Sequence, residues 1–60
     1  MKRYMVIYVE DGTQRMIATE SLSEAREFHF GITCGIGVYC EVYERMYDEE
    51  EGYEYHLLFA

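Results

Sequence analysis

Two histidines and two cysteines are of the types that make nitrogen and sulfur metal ligands or a thiol nucleophile with its base: His29, His56, Cys34 and Cys40. Zinc takes such residues in short paired spacings, Cys-x-x-Cys or His-x-x-x-His, and these four form no such pair, so no metal is expected. A reactive cysteine needs a nearby cation or base to draw its thiol towards thiolate, and no basic residue adjoins Cys34, which stands beside Gly35. A Cys34–Cys40 bridge is within reach of the chain, but two cysteines do not make the dense framework of small secreted domains, and a reduced pair is expected. The run Asp48-Glu49-Glu50-Glu51-Gly52 lacks the alternating Asp/Asn ligands and closing Glu of a calcium-binding EF-hand loop. Gly31, Gly35 and Gly37 follow an expected helix and lack the Lys-Ser/Thr of a phosphate loop. With no nucleophile–base pair, and a domain of a size that rarely encloses a water-excluding pocket without a partner, neither an enzyme nor a cofactor is expected.

What the sequence offers instead is recognition. The 60 residues carry a formal net charge of -7, and that charge is uneven. Residues 41–60 set only Arg45 against Glu41, Glu44, Asp48, Glu49, Glu50, Glu51 and Glu54, a balance of -6, while residues 1–40 balance to -1. Such a field repels phosphates and attracts basic protein, so direct nucleic-acid binding is disfavoured and a basic protein partner is expected. Seven tyrosines accompany the acids. Tyrosine suits an interface because it combines a large buried area with a polar tip and little rotamer entropy to lose. Both features also have plain explanations: tyrosine favours strands, and charge runs are usually solvated and keep hairpin tips from pairing edge to edge.

In size, charge and composition, though not in any motif, the chain resembles the small acidic inhibitors that phages make against host defence or DNA-processing enzymes. That resemblance implies a DNA-mimic mode, in which carboxylates on a rigid sheet occupy the basic groove of a nucleic-acid-binding protein. The expected partner-binding set is Tyr39, Glu41, Tyr43, Glu44, Tyr47, Asp48, Glu49, Glu50, Glu51 and Glu54, with Tyr39, Tyr43 and Tyr47 as anchors and Glu41, Glu44 and Asp48 to Glu51 as steering charges. The alternatives are a small structural domain that self-associates as a homodimer, and a small-ligand or metal-binding domain.

The elements that must position these residues can be read along the chain. Arg3 to Val9 is β-branched and aromatic, and it stops at Asp11-Gly12, whose positive φ a tight hairpin demands. Gln14 to Thr19 is the return strand. Ser21-Leu22-Ser23-Glu24 has capping-box spacing, in which the Ser hydroxyl and the Glu carboxylate each satisfy a free amide. Leu22, Ala25, Phe28 and Ile32 then recur at helical spacing. The helix ends at Gly31, in a left-handed cap, or runs on to Gly35. Val38 to Tyr47 alternates, with Val38, Cys40, Val42 and Met46 towards the core. Tyr53 to Phe59 returns, placing Tyr53, Tyr55, Leu57 and Phe59 on one face and Glu54, His56 and Leu58 on the other.

The expected fold is therefore α+β, ββαββ, an antiparallel sheet of two hairpins with one short helix packed on one face, over residues 1–60 as a single small domain; the strand order stays open. With Met5, Ile7 and Val9 facing the helix, the other face would collect Tyr4, Val6, Tyr8, Tyr39, Tyr43 and Tyr47, rimmed by Glu41, Glu54 and Arg45, with His56 also on that face. One helix covers only one face of a sheet, so this second face needs solvent or a partner. Half the residues are apolar, which sets the chain apart from disordered segments. No stretch approaches the length of a membrane span, and Met1-Lys2-Arg3-Tyr4 leads into only a short apolar run without a cleavage site, so the expected location is cytoplasmic.

Overall fold

The computed structural model describes residues 2–60. Strands β1 (Tyr4–Glu10), β2 (Thr13–Thr19), β3 (Cys40–Asp48) and β4 (Gly52–Phe59), with helix α1 (Leu22–Phe30) between the hairpins, give the expected ββαββ order. The strands form one antiparallel sheet in the order β2-β1-β3-β4, so the hairpins join through β1 and β3, leaving β2 and β4 as edges.

Local chemistry explains the turns and the helix start. Asp11 and Gly12 both have positive φ, 52° and 77°, as a two-residue hairpin of matching twist requires. Ser21 is extended and its Oγ accepts from Glu24 N at 3.3 Å, which caps the helix. The other half of the capping box is relayed. Ser21 N donates to Thr19 Oγ1 at 3.2 Å, and Thr19 Oγ1 donates to Glu24 Oε1 at 3.0 Å, so Thr19 stands where a direct carboxylate–amide bond was expected.

The helix passes both expected stops. Gly31 is right-handed (φ -63°), and the chain continues as a wider π-helical segment, Gly31–Ile36, ending at Gly37, which takes the left-handed cap (φ 82°). Two glycines weaken the α-helical preference here, and Thr33 Oγ1 donates back to His29 O at 2.8 Å, a bond that competes with the regular ladder.

The core lies between the helix and one sheet face: Tyr4, Val6, Ala25, Ile32, Cys40 and Val42 are buried. This reverses the expected orientation of β1. Tyr4, Val6 and Tyr8 point towards the helix side, because Val6 pairs with Val42 and Tyr8 with Cys40, and paired residues share a face. Met5, Ile7 and Val9 therefore lie on the open face, beside Ala18, Met16 and Gln14 of β2. On the helix, His29 takes the inward position expected of Phe28, which is left at the exposed margin; the inner row is Leu22, Ala25, His29 and Ile32. An irregularity between Val42 and Tyr43 pairs Val42 with Phe59 and Tyr43 with Leu57. It skips Leu58 and turns Phe59 to the helix side, where the ring packs against the core, while Tyr53, Tyr55 and Leu57 keep the open face. Met46, expected in the core, is exposed, since the helix does not extend over that end of β3.

Candidate functional site: an acidic arm and a bare sheet face

β1 pairs with β3 only from Cys40 to Glu44, with one further bond from Arg45 N to Arg3 O. Among the described residues, the strands of the second hairpin have only each other from Met46 to Glu54, so they leave the sheet as a two-stranded arm. A lone hairpin is marginal in water, and the side chains of this one show what holds it. Tyr47 and Tyr53, directly opposed, meet edge to face with ring centroids 5.2 Å apart, and the Arg45 guanidinium lies 4.8 Å from the Tyr53 centroid. At the base, Tyr55 Oη donates to Lys2 O. At the tip, Asp48 Oδ1 accepts from Glu50 N and Glu51 N, and Gly52 takes the positive φ that closes the loop.

The tip brings carboxylates together. Glu54 titrates above the usual carboxylate range. The main cause is the neighbouring Glu51 carboxylate, with which it shares a hydrogen bond; desolvation and the Asp48 charge add to this, and His56, 3.3 Å away, opposes it. A hairpin that holds acids this close concentrates negative potential at its tip.

Further back on the open face, Glu41 is bound by two phenols: Tyr39 Oη donates to Oε2 at 2.9 Å and Tyr43 Oη to Oε1 at 3.0 Å. Both hydroxyls are pushed up from their ordinary value, first by this hydrogen bond, then by desolvation and the Glu41 charge. That direction leads away from neutral pH, so the trio is poorly suited to proton transfer. It does give a carboxylate already supplied with donors, which lowers the cost of covering it with a partner.

The structure thus groups Tyr39, Glu41, Tyr43 and Tyr47 on the open face and Asp48, Glu49, Glu50 and Glu51 at the arm's tip. It places Glu44 on the opposite side, 3.4 Å from Arg3, and Glu54 and His56 also lie on that side, not on the open face where they were expected. Two groups escaped sequence reading: the aliphatic patch of Met5, Ile7, Val9 and Met16, and Arg45 as a brace. Among the metal-ligand candidates, Cys34 is exposed beside Thr33, Cys40 is buried with its thiol pushed up by desolvation and then by Glu41, and both are free. Among the described residues, no three His, Cys, Asp or Glu side chains converge as a metal site requires. No helix is long and apolar enough to cross a membrane. Compared with protein-family models, curated proteins and solved structures, the chain matches none.

Proposed function

We propose that this chain is a non-enzymatic protein-binding module whose β3–β4 arm enters the basic, nucleic-acid-binding cleft of another protein and blocks it. The observation that carries this reading is the arm itself. It projects beyond the sheet, bears Asp48, Glu49, Glu50, Glu51 and Glu54, and is braced on one side by the Tyr47–Tyr53 pair, with Tyr47 65% and Tyr53 57% exposed. Carboxylates at the tip steer the encounter, and exposed rings behind them supply the area that holds the complex.

The test is retention on the immobilised chain in competition with duplex DNA. Proteins held by the arm are nucleic-acid binders, released by the duplex and lost with the double charge reversal Glu49→Lys, Glu51→Lys. Retention indifferent to both treatments sinks the reading.

A second observation favours self-association alongside this. The β1–β2 half of the open face carries Met5, Ile7, Val9, Met16 and Ala18 without a formal charge, and Met16 is 60% exposed. Two copies joined through these residues would supplement a small core and leave both arms free. Sedimentation equilibrium at low and high salt decides it: a dimer that survives high salt supports this contact, and a monomer throughout rejects it.

A further inference from the structure

On the opposite side of the sheet, α1 and the end of β4 enclose a groove of about 560 Å³ lined by Leu22, Arg26, His29, Phe30, Leu58 and Phe59. It exists because the helix lies across β1, β3 and β2, while the irregularity beside Val42 turns Phe59 inward at the uncovered edge. Its size falls within the range of small-ligand clefts. We infer that this groove binds a small amphipathic carboxylate, one anionic head on an apolar body the size of a medium-chain fatty acid.

Three observations fix that chemistry. The walls are apolar, and two of them, Phe30 at 68% and Leu58 at 42% exposure, are left open to water, so an apolar body gains by covering them. The one charged side chain in the lining, Arg26, is basic. In a chain with twelve acidic residues the groove has none, and among the described residues Arg26 forms no ion pair; its guanidinium instead lies 5.7 Å from the Phe59 centroid. Its helical neighbours at three and four residues are Leu22, Ser23, His29 and Phe30, none of them acidic. Glu24 is engaged by Thr19, and Glu27, one residue along, points about 100° away around the helix.

The third observation is His29. Its ring meets Phe59 edge-on at 5.1 Å, and its Nε2 is buried without a hydrogen-bond partner among the described residues. Buried polar atoms are rarely left so; a turn of the imidazole or of the Phe59 ring on binding exposes this nitrogen, which in its N–H tautomer then donates to a carboxylate oxygen held by Arg26. A polyanion is disfavoured, because one arginine cannot offset the field of a chain with net charge -7, whereas a single carboxylate needs one.

The experiment is an amide and side-chain NMR titration of the full chain with decanoate below its micellar concentration, with decanol as the neutral control. Decanoate should shift Arg26, His29, Leu58 and Phe59 together and saturate, while decanol binds at least tenfold more weakly. Arg26→Met should lower decanoate affinity at least tenfold with the rest of the spectrum unchanged, and Arg26→Lys should restore most of it. Should Arg26→Met disturb the fold, the decanol comparison on the unaltered chain still decides. Equal affinity for decanol, no shifts at millimolar decanoate, or shifts centred on Met5, Ile7 and Met16 overturn the proposal. So does tighter binding of a peptide ending in a free-carboxylate Phe, which would assign the groove to a protein tail. Since no macromolecular partner is involved, failure here leaves the role of the arm standing, and the converse holds.

Discussion

The two hairpins of this chain are built alike and used differently. The first turns on two residues, Asp11 and Gly12, and its strands run beneath the helix, where Tyr4, Val6 and Thr19 are buried. The second is longer, reaches the core at its base through Cys40, Val42 and Phe59, and leaves the sheet after Arg45, with no residue from Arg45 to Leu58 buried. The first is held by the core, and the distal part of the second by its own side chains: an aromatic pair, a guanidinium on a ring and an Asp-capped turn. The division shows how a domain with few fully buried side chains can still present a long, highly charged element. The charge sits where no core has to tolerate it, and the arm is expected to open separately from the rest.

That contrast can be broken most strongly at Val42. It is fully buried at the pairing of β1, β3 and β4, so Val42→Ala should cost about 2 kcal/mol and lower the melting temperature by about 10 °C. Tyr53→Ala removes the ring that both Tyr47 and Arg45 touch and should cost about 1 kcal/mol or less, with hydrogen exchange quickening from Met46 to Glu54 and unchanged in β1. If Tyr53→Ala loosened β1 as much as the arm, the two hairpins would be one cooperative unit and the comparison would fail.

How far the sequence carried the reading follows the same line. The turn at Asp11-Gly12, the Ser21 cap and the strand limits to within two residues were legible, because each rests on a residue whose backbone preference or side-chain acceptor acts locally. The face of β1 was not. Tyr4, Met5, Val6, Ile7, Tyr8 and Val9 are apolar throughout, so alternation carries no information there, and only the pairing of Val6 with Val42 decides which side is buried. The choice between Phe28 and His29 was equally closed, since both fit a helical row beginning at Leu22 and Ala25. Phe59 changed sides through an irregularity that no residue type announces. For the candidate site, the acidic tip was plain from charge alone. The bare aliphatic patch became visible only once β1 was turned over, and the groove at His29 only once Phe59 was placed.

The smallest expected effect sharpens the arm's half of the comparison. Glu54 is held near Glu51 and Asp48, which raises its titration above the ordinary carboxylate value, with His56 pulling the other way. A carboxyl whose folded value is raised takes up a proton more readily in the folded chain than in the unfolded one. Its charge therefore opposes folding at neutral pH, and that opposition is relieved as pH falls through the folded value. The group is solvent-exposed, so the effect on melting is slight, and the direct readout is the Glu54 side-chain carboxyl carbon followed by NMR against pH. Its midpoint should lie above that of an ordinary Glu and fall when Glu51→Gln removes the first cause. A basic protein on the arm should lower it as well, since a cation beside the tip favours the charged form, and binding should therefore tighten as pH rises through the carboxylate range. An ordinary midpoint in the unaltered chain would mean the acids at the tip stand too far apart to act together, leaving the arm a solvated hairpin instead of a focused negative surface.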